Sequence, residues 1–488
     1  MTAVTTASGR VDDATRREME RVFALQQEYR WTAKNTSAEH RKAMLQRFKD
    51  TVIRHANDAR DALNADLGKP AEQPVMLEVA ILLGEIEQAL QHLDEWMQPV
   101  ELEPAGPMTA PGSRVEIMYE ARGVCLVFGP WNFPYQLSLT PLVAIIAAGN
   151  TAIMKPSEMA PATSALVATV IRECFEENEV AVFEGGADVA EALLELPADH
   201  VFFTGSPKVA SIVMAAAAKH LASVTLELGG KCPVIVDETT DIPLAAAQVA
   251  FSKHYNSGQI CLAPDHVWVK EDVRDQFVDA YLEWIRTHLY TEEGQHNRLA
   301  MSHMIDKRNL DRVWRYVDDA KSRGANVLGP ATTHPEELVI EPTVLVDVPL
   351  DADVMRDEIF GPVLPVLTFN DLDEVTRFVN AGGKPLAMYI FSQDDDFVSA
   401  VLSRTSSGGV TVNGWAIHHE EPTLPFGGVG SSGQGRYHGI HGFKELSHER
   451  AIVRQPEIVD LYSMMAAAAA TAQDEAAAAQ AIDARTTT

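Results

Sequence analysis

Of the four cysteines in this chain, Cys125, Cys174, Cys232 and Cys261, only the last sits in a segment with loop chemistry, NSGQICLAP, beside Gly258, Gln259 and Pro264. A nucleophilic thiol must be reachable and must ionise readily, which calls for an exposed, polar setting. Cys261 is therefore the candidate nucleophile, and the other three read as small core residues. No two cysteines have C-x-x-C spacing, so neither a disulfide framework nor a zinc site is expected. Glu227 ends the apolar run of VTLELGG. Burial there would raise its carboxyl pKa toward the working pH, as a general base requires; the alternative is a strand-end surface glutamate. Gly205 and Ser206, in FTGS before a helical run, would admit a pyrophosphate to a helix N-terminus. Gly428, Gly430 and Gly433 spell G-x-G-x-x-G, but no strand leads into them and no βαβ unit follows, so they are not read as a phosphate site. His418, His419, Glu420 and Glu421 are contiguous, and adjacent side chains rarely converge, so no metal is expected there.

These residues need rigid elements to position them. From Asp12 to about Gln98, apolar residues recur at three- and four-residue steps, a helical pattern. From Pro99 to Gly123 a Pro/Gly-rich stretch gives way to alternation, which predicts a hairpin or arm. Then VCLVFG, TAIMKP, AVFEG and HVFFTG read as strands, with helices over PLVAIIAAG, TSALVATVIRECF and AEALLELP and another after Ser206. Such alternation predicts a parallel sheet covered on both faces. A second α/β unit begins near Gly229, with strands at VIVD, HVWVKE, VLPVLTF and AMYIFS and helices over 242–254 and 272–288. From about Gly408 the chain is loop-rich, and it ends in an Ala-rich tail that reads as frayed helix or disorder.

Composition removes several function classes. With 40 basic and 69 acidic residues the net charge is −29, a surface that repels nucleic acid and anionic lipid. The N-terminus lacks the pattern of a secretory signal, and no run approaches the ~18 apolar residues of a spanning helix. A cytoplasmic protein with no membrane anchor is expected.

Six blocks in order, GPWNFPYQLSL, MKPSE, VTLELGGKCPVIV, NSGQICLAP, DEIFGPVLPV and LPFGGVGSSGQGRYHG, make residues from about 20 to 450 resemble the aldehyde dehydrogenase superfamily. The short N-terminal region, CLAPDH and YHGIHGF look most like its class 3 branch, which acts on fatty and aromatic aldehydes. The resemblance implies an α/β fold with a Rossmann-type coenzyme domain (1–98 and 124–227) and an α/β catalytic domain (228–407). It also implies a small β oligomerisation arm (99–123 with 408–460), leaving 461–488 as the tail.

It further implies NAD(P)-dependent oxidation of an aliphatic or aromatic aldehyde to the acid, through a thiohemiacetal and a thioester on Cys261. Glu227 would be the base for hydrolysis, and the Asn132 amide with the Cys261 N–H would meet the oxyanion. Lys155 and Glu158 are similar to the pair that binds the adenosine ribose, Gly205 and Ser206 to the pyrophosphate turn, and Glu358 and Phe360 to the groups that hold the nicotinamide ribose and ring. Ala210 stands where many relatives have a second glycine, which bears on how closely the backbone approaches the phosphates. NAD is the expected coenzyme with NADP also accepted, and a homodimer is the expected assembly. His418 is a candidate for the aldehyde tunnel. The alternatives are a coenzyme A-acylating aldehyde dehydrogenase and a non-catalytic descendant of the fold.

Overall fold

The structure, a computed structural model, describes residues 11–73, 75–106 and 109–486; residues 1–10 of the expected coenzyme domain and the last two of the tail lie outside this set. The N-terminal helical pattern forms Asp13–Lys34, Ala38–Arg54, Ala56–Leu67 and Ala80–Trp96, with a π-helical turn at Val75–Val79 before the last. Local signals start the first two: Asp12 accepts from the N–H groups of Ala14 and Thr15, and Ser37 from that of His40. Met19, Val22 and Phe23 form the buried stripe of the first helix and pack against the neighbouring sheet.

That sheet runs in the order Gly433–Gln434, Ser223–Glu227, His200–Thr204, Val124–Phe128, Thr151–Lys155, Val180–Val182. All neighbours pair in parallel except the two-residue strand at the edge. Val124, Leu126 and Phe128 face one apolar cluster, and Cys125 and Val127 face another. A strand buried on both faces must carry apolar residues at consecutive positions, which is why VCLVF is uninterrupted.

The helix expected to open at Pro141 instead runs Gln136–Ala148, with Pro141 inside it. Its N-terminus is set by a tertiary contact: Glu78 accepts hydrogen bonds from the N–H groups of Tyr135 and Gln136 at 3.0 and 3.1 Å. The carboxylate satisfies donors that every helix start leaves open.

The second sheet has seven strands, in the order Asn326–Leu328, Thr343–Val346, Val363–Phe369, His266–Lys270, Pro233–Val236, Ala387–Phe391, Gly409–Val412. Its last strand lies just past residue 407, so the sheet extends beyond the boundary read from the sequence. Helices Ile242–His254 and Arg274–Leu289 cover one face, and Lys307–Ser322, Leu372–Ala381 and Asp395–Arg404 the other.

The arm is a three-stranded antiparallel sheet in which Arg114–Ala121 lies between Val100–Leu102 and Ser447–Arg454. The tail forms one helix, Leu461–Thr486, consistent with the helix propensity of alanine. Among the described residues no helix is long and apolar enough to cross a membrane.

Candidate active site

The strands Val124–Phe128, Thr151–Lys155, His200–Thr204 and Ser223–Glu227 all point their carboxyl ends at one edge of the first sheet. Asn132, Lys155, Gly205 with Ser206, and Glu227 follow or end those strands in turn. Ligands bind at this edge in open α/β sheets, because loops there diverge to leave a crevice.

The loop that carries Cys261 has an unusual backbone. Asn256 and Ser257 have φ of 46° and 53°, and Gly258 has φ +72°. A side chain at Gly258 would also collide with the Gly361 carbonyl, so this glycine lets the segment after Phe360 close on the cysteine loop. Non-glycine residues persist in this region only when their surroundings over-determine them, and here they do. The Asn256 amide donates to Asn132 O at 3.0 Å, the Gln259 amide to His303 O at 3.0 Å, and Gln259 Oε1 accepts from Ile305 N at 2.9 Å. Beneath the turn, Cys232 Sγ donates to Cys261 O at 3.2 Å, while Tyr389 and the Trp415 indole both donate to Leu262 O.

Cys261 itself is partly exposed, but the polar setting expected for it is not what surrounds it. It opens onto a cavity of about 200 Å³ with walls of Phe133, Leu137, Tyr255, Trp415 and Phe426. Burial pushes the thiol up to about 12; the Glu358 and Glu227 carboxylates push the same way, and the N–H groups of Cys261 and Leu262 pull against them. Burial thus favours the thiol over the thiolate, and any attack by this sulfur would have to be accompanied by loss of its proton.

Glu227 lies in the same cavity, 4% exposed, with neither carboxylate oxygen hydrogen-bonded. Burial raises its pKa well above the ordinary carboxyl value, with Arg436 opposing and Glu445 adding to the shift. The glycine-rich block folds over it: Gly433 pairs with Glu227 in the sheet, and Leu228 N donates to Ser432 O at 3.1 Å. The G-x-G-x-x-G spacing therefore serves close backbone packing over this carboxyl group.

Asn132 is buried, and its amide donates to Gln259 O at 3.0 Å, two residues before Cys261. An amide has two N–H donors, which leaves one for an oxygen at the cysteine.

His418 does not line the cavity; His419 does. The His418 ring turns inward to Thr411 Oγ1 at 2.8 Å, whereas His419 contacts Glu420 at 3.1 Å and the edge of Phe426. Adjacent positions on a short helical turn point about 100° apart, and which one faces the cavity depends on packing against Gly409, where a Cβ would strike the His418 ring.

The residues expected to hold a dinucleotide fit one. Glu358 lies over Gly229, where any side chain would occupy the same space, and it accepts from the Gly230 N–H. Burial brings its carboxyl up to about 7. Phe360 has φ 47° and meets Trp131 edge-on at 5.3 Å. Ser206 caps the helix Pro207–Ala218 directly after Gly205, and Ala210, at the expected second-glycine position, is buried in that helix. Lys155 donates to Glu158 at 2.7 Å, and the Glu158 side chain is 47% exposed. Sequence reasoning missed Lys69, Glu78 and Trp415, whose surroundings in the sequence carry no distinctive signal, and it read Gln259 only as loop chemistry beside Cys261.

Residues 3–452 match the Aldehyde dehydrogenase family profile. The chain is 42% identical to AldX of Bacillus subtilis over 438 residues, 90% of this chain and 98% of that one. It is 38% identical to a rat protein named "Aldehyde dehydrogenase, dimeric NADP-preferring", covering 86% and 91%. The substrate-bound structure of AldH from Staphylococcus aureus superposes with a TM-score of 0.85 at 35% identity, over 91% of this chain and 95% of that one.

Proposed function

We propose, for a chain that belongs to the aldehyde dehydrogenase family and oxidises aldehydes with NAD(P), that Cys261 attacks the aldehyde and Glu227 prepares the water that releases the acid. The observation that carries this reading is the shared cavity: a thiol and an unpartnered, buried carboxyl group face the same apolar space.

The Cys261 thiol gives its proton to water as its sulfur adds to the carbonyl carbon, and the oxygen gains charge toward the Asn132 amide and the Cys261 N–H. Bound NAD(P) supplies the acceptor for the hydride that leaves this carbon. The thioester then takes up a water whose proton passes to Glu227, and the C–S bond breaks to give the acid and the free thiol. The aromatic walls favour a flat or extended apolar body, the aliphatic or aromatic class of aldehyde. Units 1–98 with 124–227 would bind the coenzyme, 228–407 would carry the nucleophile, and 99–123 with 408–460 would form the oligomerisation region. The reading extends to a cytoplasmic, reducing compartment, where a free Cys261 thiol survives.

Lys155 and Glu158 would bind the adenosine ribose. In NADP a phosphate replaces the hydroxyl nearest Glu158, and two like charges a few ångströms apart disfavour it, with Lys155 offsetting part of the cost. NAD is therefore the preferred coenzyme by roughly tenfold in kcat/KM, with NADP also used. An aldehyde panel assayed with NAD, NADP and optional coenzyme A, in wild type and Glu158→Gln, tests this. The expected result is acid formation independent of coenzyme A, and a relative gain for NADP in the variant. Turnover that requires coenzyme A would overturn the hydrolytic reading, and better wild-type use of NADP would remove Glu158 as the discriminator.

The arm supports a homodimer. Val100, Leu102 and Val453 expose apolar side chains on a three-stranded sheet, and burying them against a second copy would remove that apolar surface from water. Because the arm pairs with Ser447–Arg454 of its own chain, the whole sheet would face the second copy. Light scattering at micromolar concentration should give twice the 53.3 kDa chain mass; a monomer would rule the arrangement out.

A further inference from the structure

Lys69 and Glu78 form an ion pair in which both side chains are almost completely buried, at 2% and 1% exposure. Neither belongs to the cavity or to the coenzyme residues. Lys69 follows the helix Ala56–Leu67, and Glu78 lies in the π-helical turn Val75–Val79. A buried ion pair is weak evidence for stability, because an apolar pair of similar volume often serves as well. What charges add in such a place is direction, and all the remaining hydrogen bonds of this pair converge on one short segment.

Lys69 Nζ donates to the backbone oxygen of Asn132 at 2.9 Å and sits 4.0 Å from the centre of the Phe133 ring. Glu78 Oε2 accepts from the N–H groups of Tyr135 and Gln136. Residues 132, 133, 135 and 136 are thus held by two side chains from a different part of the chain. Asn256, from the cysteine loop, donates to the same Asn132 oxygen at 3.0 Å, and the Asn132 amide donates back to Gln259 O. The turn is clamped from one side by the ion pair and from the other by the cysteine loop.

We propose that the Lys69–Glu78 pair is a positioning device for Asn132, fixing the turn that aims its amide at the oxygen on the carbon bound to Cys261. This rests on the reading of Asn132 as the oxyanion donor. An amide aimed at developing charge acts through preorganisation, and a displacement of about 1 Å costs on the order of 100-fold in rate. Removing one member alone would strand a buried charge. The informative variant is therefore Lys69→Met with Glu78→Gln, in which an amide oxygen replaces the carboxylate oxygen facing the backbone N–H groups.

The test is a double-mutant cycle against Asn132→Ala, with coenzyme affinity read from NADH fluorescence. The pair variant should keep its NADH Kd within about twofold and lose kcat by roughly 30- to 100-fold. In the Asn132→Ala background the same two substitutions should cost less than about threefold, since the group they aim is gone. A second neutral pair, Lys69→Gln with Glu78→Gln, in which an amide N–H can still donate toward the Asn132 oxygen, should show the same non-additivity with a smaller loss. An equal loss in both backgrounds would mean the pair acts elsewhere and overturn the proposal. Undiminished kcat in the pair variant would also overturn it. Undiminished kcat in Asn132→Ala would instead remove the oxyanion reading on which it stands.

Discussion

Cys261→Ala should abolish aldehyde oxidation while leaving NADH binding measurable by fluorescence. The expected loss is on the order of 10⁴-fold or more in kcat, because no covalent path remains. The substitution removes one sulfur from a group that opens onto an existing cavity, so folding should be little affected. Cys125→Ala is the control. Cys125 is completely buried in the central strand of the first sheet, and its truncation should lower Tm while kcat changes little. Substantial oxidation by the Cys261 variant would end the thioester mechanism.

The second large effect divides the reaction in two. Glu227→Gln keeps the volume of the side chain and removes its capacity to take a proton. If Glu227 serves deacylation, stopped-flow mixing should still show a burst of NADH near one equivalent per site. Steady-state turnover should fall by roughly 10²- to 10⁴-fold. The pH dependence carries its own sign. A buried carboxyl group with a raised pKa is neutral below that pKa and becomes a base above it. Where deacylation limits the rate, wild-type kcat should rise with pH through that raised pKa, and the rise should vanish in Glu227→Gln. Loss of the burst itself would give Glu227 a different role, taking the proton of the Cys261 thiol, which burial pushes up to about 12.

The two roles are compatible with one geometry. The carboxyl group and the thiol share the cavity, and no hydrogen bond ties either Glu227 oxygen down. A group that is not fixed by neighbours can turn toward either partner. The turn built on Gly428, Gly430 and Gly433 packs against this strand end, with Gly433 paired to Glu227 and Leu228 N donating to Ser432 O.

Much of this protein was legible in the order of its residues. The alternation of apolar strands with helical runs announced a parallel sheet followed by a second α/β unit, because strands buried on both faces need consecutive apolar residues, but not the antiparallel strands Gly433–Gln434 and Asn326–Leu328 at the sheet edges. Cys261 stood out because glycine, glutamine and proline around it read as loop rather than strand or helix. The neutral preference of Glu227 also followed from its place at the end of VTLE, since desolvation acts on whatever charge an apolar strand buries. These properties are local: each is decided by a residue and its near neighbours in the chain.

The tertiary structure alone decided the rest. The setting of Cys261 is apolar because Phe133, Trp415 and Phe426 come to it from distant segments of the chain. His419 rather than His418 faces the cavity, a difference of one position that sequence pattern does not resolve on so short a turn. The start of the helix Gln136–Ala148 belongs to Glu78, and the aim of Asn132 to Lys69, Asn256 and Gln259. Nothing within a few residues of these side chains announces those contacts. A hydrogen bond between groups so far apart in the chain depends on where the packed sheets bring them, and that placement is a property of the whole folded molecule.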